Sequence, residues 1–213
     1  MQFNSEQLLL YAVTDRAWTV RQTLLEQIEE ALAGGVTLLQ LREKALDPEA
    51  FLQEAVEACR LCHRYGVPLI INDNVDVALG SGADGVHVGI EDAPVQQIRR
   101  RTGSDFIIGA TAKTVEQARL AEASGADYLG VGAVFPSPTK KTAIRITNAQ
   151  LREICASVRI PAVAIGGINA ENALEICGCG ARGIAVVSAI FAAQDIRTAA
   201  AALRTIATQV AGI

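Results

Sequence analysis

Apolar runs alternate with amphipathic segments along the whole chain. The runs predict eight strands, near 8–14, 37–43, 68–73, 85–89, 106–112, 128–135, 162–167 and 183–190. They are nearly continuous in Val, Ile, Leu and Ala, which is typical of parallel strands covered on both faces. Helical patterns separate them near 21–33, 48–65, 74–80, 94–101, 114–123, 147–157, 169–178 and 194–210.

Local signals mark the junctions between these elements. Gly34-Gly35 and Gly125 each follow a helical pattern, where a left-handed C-terminal cap favours glycine. Asp47-Pro48, Thr147 and Asn169 are typical helix starts. Eight βα units without a linker predict an α/β fold, a single-domain (β/α)8 TIM barrel over residues 1–213. An open doubly wound sheet is the alternative.

Composition and charge restrict the class of protein. The 213 residues are 50% hydrophobic and 20% charged, with a net charge of −4. No basic stripe stands out, so we expect no nucleic-acid partner. No apolar segment is long enough to span a membrane, and the N-terminus lacks the features of a targeting signal, so a cytoplasmic protein is expected. Whether it forms a homo-oligomer is open.

The cysteines do not predict chemistry. There are five, at irregular spacing, which argues against a disulfide framework. Cys59-x-x-Cys62 lies inside an amphipathic helical pattern without a second such pair, so we expect it to pack rather than to bind metal.

The end of the second predicted strand carries an unusual set of polar residues. Because side chains on a strand alternate between its faces, Gln40, Arg42 and Lys44 share one face. Two cations and an amide at the end of an apolar strand are costly to desolvate unless an anion meets them. The pattern predicts a phosphate-bearing ligand; the alternative is that Arg42 and Lys44 simply emerge into water.

A second anion site is predicted after the last two strands, a frequent phosphate position in this fold. Gly166-Gly167 allows close approach to the backbone, and Asn169 and Ser188 open segments whose N–H groups are free to face an anion. The alternative is that the glycines only make a tight turn.

Asp73 and Asp92 follow neighbouring strands and suit magnesium, which is commonly held by one or two carboxylates plus phosphate oxygens. Each has an alternative role as a helix cap. The segment Pro136–Lys141 adds hydroxyls and lysines that suit a phosphate, or it is a solvated loop.

Together these pieces resemble the thiamine-phosphate synthase family over nearly the whole chain. The motifs that carry the resemblance are Tyr11–Arg16, Gln40–Lys44, Asn72-Asp73, Gly85–Gly89 with Glu91-Asp92, Pro138–Lys141, Gly166–Ile168 and Val187–Ile190. The chain departs from the family pattern at Ile90, at Lys113 and at 142–145.

The resemblance implies a transferase. It would join hydroxymethylpyrimidine diphosphate to a thiazole phosphate, or its carboxylated tautomer, and release diphosphate through a pyrimidine-methyl cation, with Mg²⁺ as cofactor. The implied pyrimidine-diphosphate site comprises Tyr11, Gln40, Leu41, Arg42, Glu43, Lys44, Asn72, His87, Thr111 and Lys140. The implied thiazole-phosphate site comprises Ser137, Pro138, Thr139, Gly167, Val187 and Ser188. Asp73 and Asp92 would bind the metal, and Arg42, Lys44 and Lys140 would be catalytic.

Other functions remain open on sequence alone. A thiazole tautomerase is a related barrel that has no need to hold diphosphate. Another phosphate-binding barrel enzyme and a non-catalytic ligand sensor are further alternatives.

Overall fold

A computed structural model describes residues 3–137 and 144–213. Its eight strands form a closed parallel barrel in which each strand pairs with its neighbours in chain order and the last pairs with the first. The strands are β1 (Leu10–Val13), β2 (Leu38–Leu41), β3 (Leu69–Asn72), β4 (Gly85–Val88), β5 (Ile107–Ala112), β6 (Tyr128–Val131), β7 (Ala162–Ile165) and β8 (Ile184–Val186). This confirms the predicted (β/α)8 barrel and excludes the open sheet.

The helices lie outside the barrel. They are α1 (Leu24–Ala33), α2 (Pro48–Arg64), α3 (Val75–Ser81), α4 (Val95–Thr102), α5 (Val115–Ala123), α6 (Asn148–Ala156), α7 (Ser188–Phe191) and α8 (Ile196–Ala211). Short 3-10 helices span Ser5–Leu8, Arg16–Trp18 and Ala173–Ile176. Two predicted helix starts are confirmed: the Asp47 side chain accepts from the N–H groups of Glu49 and Ala50, and Thr147 forms a capping box with Gln150.

The apolar residues form two layers because strand side chains alternate between faces. The large outer layer packs the helices against the sheet and includes Leu39 and Leu41 of β2. The smaller inner cluster fills the barrel and consists of Leu8, Tyr11, Val13, Leu38, Ile70, Ile107, Tyr128, Val163 and Ala185. Filling the barrel with side chains leaves its carboxyl end as the place for a ligand.

Two predicted elements differ from the structure. The helix expected over 169–178 is shortened to a turn and the 3-10 helix Ala173–Ile176, although the Asn169 side chain accepts from the N–H groups of Glu171 and Asn172 as at a helix start. The strand expected over 183–190 ends at Val186, and α7 begins at Ser188. The apolar sequence continues across that boundary, so composition alone did not reveal the change from strand to helix.

Within the described residues, no helix is both long and apolar enough to cross a membrane.

Candidate active site

A cavity of about 210 Å³ lies at the carboxyl end of the barrel. It is called the central cavity below. Most of the residues predicted from the sequence line it: Tyr11, Gln40, Arg42, Asn72, His87, Thr111, Ser137, Gly167, Val187 and Ser188. The parallel strands end at one face of the barrel, which brings these residues together although they are far apart in the chain.

A chain of hydrogen bonds crosses the barrel interior beneath this cavity. Gln40 Nε2 donates to Tyr11 Oη at 2.5 Å, and the Tyr11 and Tyr128 hydroxyls are 2.8 Å apart. Tyr128 Oη is 3.1 Å from His87 Nδ1, and His87 Nε2 is 3.1 Å from Thr111 Oγ1. Gln40, His87 and Thr111 belong to three different strands, so the chain fixes polar groups on opposite walls of the central cavity.

Burial keeps the titratable members of this chain uncharged. Desolvation lowers the pKa of His87 to about 4, against a smaller opposing effect of Asp73. Desolvation also raises the pKa of Tyr11 and of Tyr128 above that of an ordinary tyrosine. The floor of the central cavity is therefore polar but neutral at physiological pH.

The sequence interpretation missed Tyr128 and Gly109 as parts of this arrangement. A Cβ on Gly109 would lie 2.1 Å from Tyr128 Cζ and 2.5 Å from His87 Nδ1, so only glycine leaves room for the two rings. The sequence did contain one signal for Tyr128: it is the first residue of β6, and its side chain points into the barrel. Its hydroxyl would need a partner inside the barrel.

A charged cluster lies at the edge of the central cavity. Lys44 Nζ donates to Asp73 Oδ2 at 2.7 Å, and Asn72 Nδ2 donates to the same oxygen at 2.5 Å. Asp92 lies close enough to Asp73 for each carboxyl to shift the pKa of the other. The structure thus brings Lys44 close to the two aspartates.

Neither aspartate caps a helix. The cap of α3 is Asn74, whose side chain accepts from the N–H of Val77, and the cap of α4 is Pro94. Asp73 instead has φ of 62°, an uncommon conformation for a residue other than glycine. Asp92 Oδ2 accepts from the N–H of Gly89 at 2.6 Å. The capping alternatives are therefore excluded.

The proximity of the two carboxylates shifts their pKa values in opposite directions. Partial burial opposes ionisation of Asp73, but the hydrogen bonds from Lys44 and Asn72 outweigh it and lower its pKa. Burial and the adjacent Asp73 carboxylate raise the pKa of Asp92. Two negative groups held this close are an arrangement that a divalent cation relieves.

The described residues contain no group of three or more His, Cys, Asp or Glu side chains suited to a metal. A magnesium ion held by Asp73 and Asp92 would therefore complete its coordination with oxygens from substrate and water, which is the usual arrangement for this ion.

Arg42 points into the central cavity from the end of β2. Its Nη1 lies 3.7 Å from Asp15 Oδ2, and its backbone N–H donates to Thr14 Oγ1 at 2.9 Å. Lys113 also lines the cavity, after β5. Both cations therefore face the space that a phosphorylated ligand would enter.

The glycine pair after β7 has a packing role. Gly166 has φ of 104° and Gly167 has φ of 66°. A Cβ on Gly167 would lie 2.2 Å from the Pro136 carbonyl oxygen, so the close approach is made by the neighbouring loop of the protein itself. Both glycines still line the central cavity, beside Val187 and Ser188.

Other predicted residues lie elsewhere. The Leu41 side chain is buried in the outer core, and the Glu43 carboxylate faces Arg16 rather than the central cavity. Pro138, Thr139 and Lys140 lie outside the described residues.

Comparison with known proteins identifies the family. The family model for thiamine monophosphate synthase matches residues 10–190. The chain belongs to the thiamine monophosphate synthase family. It is 49% identical over 191 residues to the thiamine-phosphate synthase of Ruminiclostridium cellulolyticum, covering 90% of this chain and 91% of that protein. It is 45% identical over 196 residues to that of Methanobrevibacter smithii, covering 92% of this chain and 93% of that protein.

Solved structures lead to the same family. Thiamine phosphate pyrophosphorylase from Pyrococcus furiosus superposes with a TM-score of 0.89 at 41% identity, covering 97% of this chain and 98% of that chain. A 3-hexulose-6-phosphate synthase has a TM-score of 0.65 at 16% identity, which shows the shared barrel only. The predicted resemblance is confirmed, and this protein is an enzyme, a transferase.

Proposed function

We propose that this family member joins hydroxymethylpyrimidine diphosphate to thiazole phosphate, giving thiamine phosphate and diphosphate. The observation that supports this most directly is the contrast between two adjacent surfaces. A neutral, hydrogen-bonded floor suits an uncharged heteroaromatic ring. The edge beside it carries Arg42, Lys44, Asp73 and Asp92, which suit a diphosphate with its magnesium.

The reaction breaks the bond between the pyrimidine methylene carbon and the diphosphate oxygen, and both electrons leave with diphosphate. The thiazole nitrogen then donates its lone pair to the resulting cation, forming the new carbon–nitrogen bond. The protein needs no nucleophilic side chain for these steps. Its task is to stabilise charge on the leaving group and to hold the second substrate close.

The charged residues at the edge have distinct parts in this proposal. Arg42 and Lys44, with Lys140 by family resemblance, stabilise the negative charge that accumulates on the departing diphosphate. Asp73 and Asp92 would hold Mg²⁺, which supplies further charge neutralisation at the leaving oxygens when bound. Gly167, Val187 and Ser188, with Ser137 to Thr139 by resemblance, hold the thiazole phosphate.

The cavity floor protects the reactive cation. In the described chain of hydrogen bonds, both ring nitrogens of His87 face hydroxyl groups, and Tyr11 and Tyr128 remain protonated because burial raises the pKa of each. None of these groups is available as a strong nucleophile, so capture by the protein is disfavoured. Gln40 and Thr111 lie at the two ends of this series of hydrogen bonds, where they can orient the pyrimidine ring.

The direct test is product formation. The purified protein is mixed with both phosphorylated substrates, with Mg²⁺ or with a chelator, and thiamine phosphate is measured. We expect product only with the metal. Unchanged turnover in chelator would contradict the roles of Asp73 and Asp92. Absence of thiamine phosphate together with isomerisation of a thiazole phosphate would favour the tautomerase alternative.

Variants separate the leaving-group role from folding. Arg42→Ala and Lys140→Ala should each reduce kcat roughly 100-fold or more, the order of magnitude for losing one donor that stabilises developing charge. The matched control is Arg101→Ala, because Arg101 pairs with Asp76 at the protein surface and neither residue lines the central cavity. Rates near that of the control would contradict the proposed role.

We also propose that the enzyme acts in the cytoplasm as one barrel domain on small phosphorylated substrates, without a nucleic-acid partner. Chromatography with light scattering at micromolar concentration would show whether it is a homo-oligomer.

A further inference from the structure

Arg16 binds two carboxylates on two different elements. Its Nε donates to Glu43 Oε2 at 2.5 Å, just beyond β2. Its Nη2 donates to both oxygens of Glu54 on α2, each at 2.7 Å. Arg16 itself follows β1, so this side chain ties together the first two βα units at the carboxyl end of the barrel.

The Glu43 carboxylate connects Arg16 to the backbone at Lys44. Its Oε1 accepts from the N–H groups of Lys44 and Ala45, each at 2.7 Å, while its Oε2 accepts from Arg16. The Glu43 side chain is only 2% exposed. A carboxylate this buried requires its cationic partner, because an uncompensated buried charge is strongly unfavourable.

Lys44 therefore has both ends fixed. Its backbone N–H is held by Glu43, and its Nζ donates to Asp73. A shift of the backbone at this point would change the position of the ammonium group relative to Asp73.

Asp15 and Arg42, which directly precede Arg16 and Glu43 in the sequence, also form an ion pair. Asp15 lies 3.7 Å from Arg42 on the cavity side, while Arg16 holds Glu43 on the helix side. Two consecutive residues after β1 thus contact two consecutive residues after β2. Of these four residues, only Arg42 lines the central cavity.

We propose that Arg16 is a positioning residue for the reaction, which holds Lys44 in place through Glu43 although it does not line the cavity itself. The inference rests on the proposed role of Lys44 at the leaving group. Arginine suits this task because its planar fork engages two carboxylates at once, whereas lysine is a single point charge. Small misplacements of a charge-stabilising group have large kinetic costs.

A double-variant cycle tests the proposal. Arg16→Ala should lower kcat/KM for the pyrimidine diphosphate by roughly 10- to 100-fold. It should also weaken binding of inorganic pyrophosphate with Mg²⁺, measured by calorimetry. In a Lys44→Ala background, the same Arg16→Ala change should lower kcat/KM less than about threefold, because the residue it positions is gone.

Two further variants separate positioning from folding. Arg16→Lys keeps a charge beside Glu43 and should recover part of the activity lost in Arg16→Ala. Arg101→Ala breaks a surface ion pair and should leave kcat/KM and pyrophosphate binding unchanged. Thermal unfolding of each variant shows whether a loss of activity exceeds the loss of folded protein.

The outcomes distinguish the two proposals. Losses from Arg16→Ala and Lys44→Ala that multiply independently would overturn the positioning role and leave that of Lys44 intact. Normal pyrophosphate binding and turnover in Arg16→Ala would overturn it as well. Normal turnover in Lys44→Ala would contradict the proposed leaving-group role and, with it, the positioning that depends on it.

Discussion

The hydroxyl groups of Tyr11 and Tyr128 lie 2.8 Å apart inside the barrel, where both rings are buried. The rings meet edge to face, with centroids 5.9 Å apart. This contact joins β1 to β6 across the interior and continues through His87. Because these side chains are buried, their polar groups depend on one another for hydrogen bonds, and removing one member affects its neighbours.

Tyr128→Phe should destabilise the protein by about 1–3 kcal/mol, because it leaves Tyr11 Oη and His87 Nδ1 each with one partner fewer in a buried site. Chemical denaturation measures the change. The matched control is Tyr65→Phe, since Tyr65 is exposed and makes a long 3.4 Å contact to Glu29. Equal effects at the two positions would contradict the importance of the buried chain.

Gly109→Ala should destabilise the protein and weaken ligand binding, because the new methyl group would overlap the Tyr128 and His87 rings. Overpacking of this kind costs about 1–3 kcal/mol. Gly80→Ala is the control: Gly80 lies in α3, and its Cβ would meet only the flexible Leu52 side chain, at 3.1 Å. Thermal unfolding of the two variants should differ clearly, and similar melting temperatures would refute the steric argument.

Stability should fall on acidification because of His87. Its folded-state pKa is lowered to about 4 by burial, whereas an unfolded histidine has pKa of about 6.5. Between these values the unfolded chain binds the proton that the folded protein excludes. Stability is therefore lost as pH falls through this window. The loss between pH 7 and pH 5 should be about 2 kcal/mol.

Denaturation at both pH values, on the wild type and on His87→Asn, measures this effect. His87→Asn should lose less stability than the wild type when the pH falls from 7 to 5. His63→Asn removes the other histidine, which lies on α2, and should retain the contribution of His87. If His87→Asn lost as much stability between the two pH values as the wild type, His87 would not be the source of the effect.

The two aspartates should titrate as a pair. Asp92 takes up a proton before Asp73 as pH falls, because burial and the neighbouring carboxylate raise the Asp92 pKa, while Lys44 and Asn72 favour ionised Asp73. In Asp73→Asn, the upper step should move to lower pH; asparagine tolerates the left-handed backbone at this position. Carboxyl ¹³C NMR follows both groups, and an upper step unmoved by the substitution would show that the two are not coupled.

Much of the fold was predictable because its signals are local. Each strand is a short apolar run between turn signals, and eight such runs with intervening helices allow few arrangements other than a barrel. The exceptions lie where apolar composition does not distinguish strand from helix. The region after β8 continues apolar through Ser188–Phe191, yet it forms a helix.

The cavity was predictable for a related reason. Gln40, Arg42, Asn72, His87 and Thr111 are polar residues at inward positions near strand ends, and the barrel brings all strand ends to one face. Motif order then indicated the family, which the comparisons confirm.

The sequence by itself determined the βα repeat, the barrel class, the family and the inward polar face of β2. Only the tertiary structure decided which groups contact one another. Tyr11 with Tyr128, Arg16 with Glu43, and Lys44 with Asp73 are contacts between distant parts of the chain. Periodicity and local propensity reflect interactions between residues that are close in sequence. These pairings instead depend on closure of the barrel and on the space left by residues such as Gly109.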